Sequence, residues 1–196
     1  VFDDALGWSL EKVIREGDSE SIKRTNIAQP YIFAISYCYG LEVLKEYGDP
    51  SALIGHSLGE YTALTISGFF DYADALKIIS VRGEAMQSSV ENSDTGMAAV
   101  LTTDLDSTLK EIESLNSQDI EVWISNYNDA SQIVISSSNE NLEYLKSNSK
   151  ALGARRVIPL EVAGAFHSKI VSPAKQELAT ALEGIEIKEG SIPVYM

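Results

Sequence analysis

The pattern of apolar and polar positions predicts alternating helices and strands along most of the chain. Apolar side chains at helical spacing indicate the helices, and short apolar runs indicate the strands. The residue after a helix is often Gly, as Gly17 and Gly48 are here. The predicted helices cover 5–16, 29–47, 58–66, 71–90, 105–116, 139–150 and 168–184. The predicted strands cover 51–55, 97–101, 121–126, 132–137, 154–160 and 192–196.

The helix predicted at 29–47 has Pro30 in its first turn, where proline is tolerated. It is apolar on most of its faces, which is typical of a buried helix. Residues 96–161 then follow the order β-α-β-β-α-β, that of a ferredoxin-like subdomain. We therefore expect an α/β protein in which 1–95 and 162–196 form a larger subdomain and 96–161 a small inserted one.

Composition and charge narrow the possible functions. The net charge is −14, with 29 acidic and 15 basic residues, which argues against nucleic-acid binding. We expect no membrane span, because no apolar run approaches about 20 residues, and the first residues lack a signal-peptide pattern. The single cysteine, Cys38, excludes an intrachain disulfide, so a cytoplasmic location is expected. Two histidines and one cysteine at unrelated spacings predict no metal site.

The strongest chemical signal is Gly55-His56-Ser57-Leu58-Gly59, a G-x-S-x-G sequence between a predicted strand and a predicted helix. This is the context of a nucleophile elbow, in which the serine is exposed at the start of the helix. The glycines allow a tight turn. The backbone N–H of Leu58 is then available to stabilise an oxyanion. We predict Ser57 as a nucleophile.

A serine nucleophile needs a general base, and the chain has two histidines. His56 leaves the turn in a different direction from its neighbour Ser57, so His167, before a predicted helix, is the better candidate. A third triad member is not evident. The aspartates considered all have plainer explanations as caps or turn residues: Asp71, Asp74, Asp104 and Asp129. A Ser–His dyad and a triad both remain open.

Seven segments spread over nearly the whole chain carry a resemblance to a known family: Gln29-Pro30 with IFAIS, GHSLGEYTAL (55–64), SGFFDYADALKIISVRGEAMQ (67–87), GMAAVL (96–101), ISNYNDASQIVIS (124–136), ARRVIPLEVAGAFHS (154–168) and IPV (192–194). In these segments and in their order, the sequence resembles the malonyl-CoA:acyl-carrier-protein transacylase family, which includes the acyltransferase domains of fatty-acid and polyketide synthases.

The resemblance implies an α/β-hydrolase-like parallel-sheet subdomain with the ferredoxin-like subdomain inserted. It implies ping-pong transfer of a malonyl group from CoA to Ser57 and then to the phosphopantetheine thiol of an acyl carrier protein, with His167 as base. No bound cofactor is implied, since malonyl-CoA is a substrate and the partner carries the phosphopantetheine. The family's pattern begins earlier and continues further, so a chain truncated at both ends is expected.

The resemblance also assigns substrate-binding roles. Arg82 matches the family residue that binds the malonyl carboxylate, and guanidinium forks suit carboxylates. Met86 and Phe166 should contact the acyl group, and the GAFH sequence resembles malonyl-selecting members. Gln29 should lie near the catalytic centre. Asn126 and Asn128 are further candidates, although turn chemistry explains them nearly as well.

Two other functions remain open from sequence. An acyl hydrolase would release the acyl group from Ser57 to water, although related hydrolases lack the arginine at position 82. A docking module would bind a carrier protein without turnover. Carrier proteins in these systems are acidic, so docking would need a local basic patch, and the candidates are Arg155, Arg156, Lys169 and Lys175.

Overall fold

The computed structural model describes residues 2–17 and 19–196, and the chain forms two compact units. The first unit runs as far as Ala85 and also includes Ala174–Met196. The second unit is Met86–Pro173. The range 96–161, predicted from sequence for the small subdomain, lies within this second unit.

The fold is of the α/β class, with one parallel and one antiparallel sheet. The described helices are α1 Phe2–Leu6, α2 Leu10–Glu16, α3 Ser19–Lys23, α4 Thr25–Tyr47, α5 Leu58–Ser67, α6 Tyr72–Val90, α7 Leu105–Asn116, α8 Asn139–Ser147 and α9 Ser172–Glu183. The strands are β1 Leu53–Ile54, β2 Thr95–Thr102, β3 Trp123–Asp129, β4 Gln132–Ser138, β5 Ala154–Pro159 and β6 Val194–Tyr195.

In the first unit, a short parallel pair of strands holds the start of helix α5. Leu53 of β1 pairs with Val194 of β6. The end of α5 is tied to the same region, because the hydroxyl of Ser67 donates to the carbonyl of Ile192 and accepts its N–H at 3.1 Å. The core beside them consists of Phe2, Phe33, Ala34, Phe70, Ala75, Leu76, Ile78 and Ile79.

Two predictions for the first unit are wrong. Residues 5–16 are not one helix, because Gly7 adopts φ 72° and ends α1, and α2 begins after Ser9, whose side chain accepts the N–H of Lys12. Helix α4 begins at Thr25, so Pro30 lies inside it and not in its first turn.

The expectation that this long helix is buried holds for its first half only. Phe33 is fully buried, whereas apolar side chains further along α4 are exposed. The exposed ones are Tyr39, Leu41, Val43 and Tyr47. An apolar sequence alone does not reveal which part of a helix a core covers.

The second unit contains a four-stranded antiparallel sheet in the order β3-β4-β2-β5. Its elements follow one another as β2, α7, β3, β4, α8 and β5, which confirms the predicted order of helices and strands. The core consists of Ala98, Val100, Ile112, Leu115, Val122, Ile133, Ile135, Leu142, Leu145, Leu152, Ala154 and Val157. Within residues 2–17 and 19–196, no helix has the length and apolar content that a membrane crossing requires.

Candidate active site

Ser57 lies at the turn between strand β1 and helix α5, with φ 52° and ψ −105°. A non-glycine residue rarely has a positive φ, and such strain is concentrated at functional sites. The turn is so tight that a Cβ at Gly55 would overlap the backbone of Gly59 and Glu60. A Cβ at Gly59 would meet nothing within 4 Å. The steric requirement for glycine therefore applies to Gly55 and not to Gly59.

The N-terminus of α5 provides the hydrogen-bond donor that the sequence predicts. Leu58 is the first residue of the helix, so its N–H has no acceptor within the helix. Ser57 is the N-cap residue, but its side chain makes no capping bond. Its hydroxyl instead accepts a hydrogen bond from Nη2 of Arg82 at 2.9 Å.

Arg82 joins two of the predicted residues on separate elements. While Nη2 donates to Ser57, Nη1 donates to Oε1 of Gln29 on α4. Gln29 is only 6% exposed, so its amide is a buried polar group whose oxygen is satisfied by the guanidinium. The structure thus brings Gln29, Ser57 and Arg82 together within the first unit.

A close crossing of α4 and α6 sets the position of Arg82. A Cβ at Gly83 would lie 2.7 Å from the carbonyl oxygen of Thr25. The Thr25 hydroxyl donates to the carbonyl of Gly83 at 2.8 Å. The backbones of the two helices therefore approach next to Arg82, which places its guanidinium within reach of Gln29.

The guanidinium of Arg82 lies in a partly desolvated environment. Burial lowers the pKa of Arg82, and the neighbouring Tyr61 and Glu60 oppose that change. Burial also raises the pKa of the Tyr61 phenol, although the nearby guanidinium acts in the opposite direction. At neutral pH the arginine is therefore charged and the tyrosine neutral.

In the second unit, hydrogen bonds and close packing fix the segment that leads to His167. The carbonyl of Phe166 accepts hydrogen bonds from the hydroxyls of Ser136 at 2.7 Å and Ser125 at 3.1 Å. The N–H of Ala165 donates to Oγ1 of Thr95 at 3.1 Å. A Cβ at Gly164 would overlap the side chain of Val90. These contacts hold the backbone that carries the predicted base.

His167 has φ 54° and is therefore a second strained residue. Among the described residues, the non-glycine residues with positive φ are Ser57, Asp119 and His167. His167 also lines a cavity of about 550 Å³ within the second unit, together with Trp123, Tyr127 and Lys169. Ser57 belongs to the first unit and His167 to the second.

The remaining predicted substrate-binding residues differ in their surroundings. Met86 lies on α6, one turn after Arg82, and is buried, as is Phe166. Asn128 is exposed, and its amide donates to Oε1 of Gln132 at 2.7 Å. Hydrogen bonding within the β3–β4 hairpin is therefore a sufficient reason for an asparagine at position 128. A role of Asn128 in binding substrate stays a prediction.

Each of the four aspartates considered as a triad carboxylate accepts a hydrogen bond from another residue. Asp104 accepts the N–H of Ser107 at the start of α7. The partners of the other three are Lys188 for Asp71, Lys77 for Asp74 and Ser131 for Asp129. Within residues 2–17 and 19–196, no three or more His, Cys, Asp or Glu side chains are grouped closely enough to hold a metal ion.

The four candidate docking cations lie on different elements, and Lys175 is on α9 of the first unit. In the second unit, Arg155 and Arg156 lie on β5 and Lys169 near β3, and these two edge strands of the sheet are about 14 Å apart across three strand spacings. Nζ of Lys169 lies 5.2 Å from the centre of the Trp123 ring and forms an ion pair with Glu121.

Sequence reasoning missed several residues around the site. The ring of Tyr61 lies 5.6 Å from Cζ of Arg82, and the hydroxyls of Ser125 and Ser136 hold the carbonyl of Phe166. Ser136 is fully buried on strand β4, directly after its apolar residues 133–135, and a buried hydroxyl needs a partner. A serine inside a predicted strand was the available signal. For Tyr61, no pattern pointed to a contact with a residue on another helix.

Comparison with known proteins identifies the family of this chain. Residues 1–196 match the family model described as acyl transferase domain. The malonyl CoA-acyl carrier protein transacylase of Bacillus subtilis strain 168 is 37% identical over 193 residues, which cover 98% of this chain and 61% of that protein. The polyketide biosynthesis malonyl CoA-acyl carrier protein transacylase of the same strain is 33% identical over 197 residues, covering 98% and 66%.

A solved structure gives the same result at the level of the fold. The complex of a malonyl-transacylase with its type II PKS acyl-carrier protein contains a chain with a TM-score of 0.87 and 33% identity, covering 98% of this chain and 62% of that one. This chain therefore spans about three fifths of the length of its relatives, 61% of the first and 62% of the solved structure. From the match of the family model over residues 1–196, the chain belongs to the acyl transferase domain family.

Proposed function

We propose that the protein transfers a malonyl group from CoA to the phosphopantetheine thiol of an acyl carrier protein through an acyl-Ser57 intermediate. The observation that carries this proposal is the arrangement at the elbow. Ser57 has a strained backbone at the start of α5, and its hydroxyl oxygen accepts a hydrogen bond from Arg82. A serine in this position is suited to act as a nucleophile, and the arginine is suited to bind a carboxylate.

In the first half-reaction, Oγ of Ser57 attacks the carbonyl carbon of the malonyl thioester. His167 accepts the hydroxyl proton as the C–O bond forms. The Leu58 N–H stabilises the oxyanion, and such a donor contributes about 10²–10³ in rate. The C–S bond then breaks, and the CoA sulfur leaves as a thiol after taking the proton from His167.

In the second half-reaction, the thiol of the carrier's phosphopantetheine arm attacks the ester carbonyl of malonyl-Ser57. His167 removes the thiol proton and returns it to Oγ of Ser57 as the ester C–O bond breaks. The products are a malonyl thioester on the carrier protein and the free serine. The strained φ of His167, held by the anchored segment before it, supports this role.

Malonyl is proposed as the acyl group because Arg82 is positioned next to Ser57. Each terminal guanidinium nitrogen carries two N–H groups, and the bonds to Gln29 and Ser57 use one from each. A planar guanidinium binds a carboxylate through a parallel pair of hydrogen bonds. Met86 and Phe166 are proposed to contact the rest of the acyl group, where an aromatic ring would crowd an α-methyl substituent.

A carrier protein is proposed as the acceptor because the relatives are named as acyl carrier protein transacylases. The solved transacylase chain that resembles this one is in complex with an acyl-carrier protein. These names cover both general and polyketide transacylases, so they support the acceptor class and not one pathway. A cytoplasmic location, expected from the single cysteine, stays a prediction.

Hydrolysis of acyl-Ser57 by water is the weaker alternative. Related acyl hydrolases lack an arginine at the position of Arg82, whereas here this side chain is present and hydrogen-bonded to the nucleophile. The names of the relatives also describe transfer to a carrier. Transfer is therefore favoured over hydrolysis.

The finer description of the fold is part of this proposal. The strand order β3-β4-β2-β5, all antiparallel, with α7 and α8 in the connections, supports a ferredoxin-like subdomain. The parallel pair β1–β6 and the sharp turn from β1 into α5 support an α/β-hydrolase-like subdomain.

Intact mass spectrometry after incubation with malonyl-CoA tests the proposal. The protein should gain the mass of one malonyl group, lose it when a holo carrier protein is added, and fail to gain it as Ser57→Ala. His167→Ala should slow labelling by about 10²–10⁴-fold. His56→Ala is the matched control, since His56 is exposed and next to the nucleophile, and its loss should be much smaller.

Three outcomes would contradict the proposal. A folded protein that gains no malonyl mass would show that no acyl-enzyme forms. Labelling that persists in Ser57→Ala would move the nucleophile elsewhere. Loss of the label to water as fast as to the carrier protein would favour the hydrolase.

A further inference from the structure

Tyr61 lies on helix α5, one turn after Ser57, and its ring faces the guanidinium of Arg82. The distance from Cζ of Arg82 to the centre of the Tyr61 ring is 5.6 Å. Cations within about 6 Å of an aromatic ring centre are attracted to its electron-rich face. Tyr61 is half-buried, and the attraction is stronger where water is excluded.

The contact complements the two hydrogen bonds of Arg82. The N–H groups that bond to Gln29 and Ser57 lie in the plane of the guanidinium. Those bonds therefore fix the direction in which the edge of the group points. The aromatic ring adds a third contact, since Cζ of Arg82 lies over the ring, and this contact limits movement of the guanidinium away from Tyr61.

The proposed reaction weakens one of these three contacts, the hydrogen bond from Arg82 to Ser57, when the serine is acylated. Once Ser57 is acylated, its Oγ becomes an ester oxygen and is a poorer acceptor for Nη2 of Arg82. At that stage the guanidinium is proposed to hold the malonyl carboxylate. Gln29 and Tyr61 are then the contacts that do not change with the state of the serine.

We propose that Tyr61 is a positioning residue that holds the Arg82 guanidinium for the carboxylate of the acyl group, and that it thereby contributes to the preference for malonyl over acetyl. This inference rests on the proposed function. Tyr61 is not a reacting group; it acts through Arg82. Burial raises the pKa of the Tyr61 phenol, so the group is neutral at physiological pH and its attraction to Arg82 needs no ionised hydroxyl. A side-chain hydrogen bond between the hydroxyl and the guanidinium adds to the contact with the ring.

Tyr61 also packs against the core of the first unit, so a purely structural role has to be separated from a positioning role. Loss of packing would lower turnover of every acyl-CoA alike. Loss of positioning would affect malonyl selectively, because acetyl has no carboxylate for Arg82 to bind. The ratio of kcat/KM for malonyl-CoA to that for acetyl-CoA is therefore the informative quantity.

The test compares Tyr61→Leu, which removes the ring, with Tyr61→Phe, which removes only the hydroxyl. In the intact protein, Tyr61→Leu should lower the malonyl-to-acetyl ratio by about 2- to 30-fold, the range that corresponds to a cation–aromatic contact. Tyr61→Phe keeps the ring and loses the hydrogen bond of the hydroxyl to Arg82, so its ratio should lie between those of Tyr61→Leu and the wild type. Tyr39→Leu is the matched control, because it removes a 72% exposed tyrosine ring from the same unit and should leave the ratio unchanged.

A double-mutant cycle with Arg82→Ala shows whether Tyr61 acts through the arginine. With Arg82 absent, Tyr61→Leu should cause no further fall in the ratio. A further fall, or an equal loss for both substrates, would overturn the inference while leaving the proposed function intact. A wild-type protein that forms no acyl-Ser57 with either substrate would overturn the proposed function itself, and the inference with it.

Discussion

The position of Arg82 is set by contacts with residues that are distant in the sequence, and its sequence neighbours do not indicate these contacts. On a helix taken alone, an arginine between Val81 and Gly83 is most simply a solvated charge. In the folded unit its guanidinium is half-buried and bonded to Gln29 and Ser57. The family resemblance suggested the role of Arg82, whereas physical reasoning from the sequence alone did not.

Replacement of Arg82 by Ala should reduce malonyl transfer strongly and acetyl transfer little. Removal of one partner of a hydrogen-bonded charge pair typically costs about 2–5 kcal/mol, which corresponds to a fall of about 30-fold or more in kcat/KM for malonyl-CoA. Acetyl-CoA should be unaffected or improved. Steady-state kinetics with both substrates measure the difference, and Lys77→Ala on the exposed face of the same helix serves as the control.

Equal losses for the two substrates would show that Arg82 supports the site generally and does not read the carboxylate. Arg82→Lys sharpens the comparison. It keeps the charge but loses the planar fork, so it should recover only part of the malonyl activity.

The helices and strands show where sequence patterns succeed and where they do not. The strand, turn and helix around Ser57 were predictable because G-x-S-x-G lies between an apolar run and a helical repeat. The element order of the second unit was predictable because its helices are strongly amphipathic. Both features could be predicted because they depend on residues that are close together in the sequence.

One error is local, the break of the predicted helix 5–16 at Gly7, whereas the others occur where the outcome depends on distant parts of the chain. Helix α4 starts four residues earlier than predicted because Thr25 is held by the backbone of Gly83, 58 residues later. The exposure of Tyr39 and Tyr47 depends on which elements cover α4, and not on the apolar character of the helix. The ring of Tyr61 meets Arg82 only because α5 and α6 are neighbours in space.

The two glycines of the elbow should respond in opposite ways to alanine. Gly55→Ala should destabilise the protein by about 1–3 kcal/mol or more and remove activity, because the new Cβ overlaps the backbone at the start of α5. Gly59→Ala introduces a methyl group into open space within a helix, so it should be neutral or stabilising by about 0.4–1 kcal/mol. Chemical denaturation measures both, and equal destabilisation would contradict this account of the turn.

At the scale of the whole molecule, charge gives a weaker guide than local structure. The net charge of −14 suggests repulsion from an acidic carrier protein. The cations that could offset it lie at separate places, with Arg155 and Arg156 at one sheet edge and Lys169 at the other. Lys169 is closer to the proposed acceptor chemistry, since it lines the same cavity as His167. Composition alone could not distinguish the two edges.

The unusual backbone angles of Ser57 and His167 have a consequence for the thermal tolerance of the protein. A residue held in such a conformation costs about 1–3 kcal/mol, and a small domain has a net stability of only about 5–15 kcal/mol. Ser57→Gly should therefore unfold at a higher temperature while losing activity. Asp119→Gly, at φ 63°, should gain stability without that loss. Calorimetry on the two variants would show how much heat resistance the protein gives up in order to keep Ser57 in this conformation.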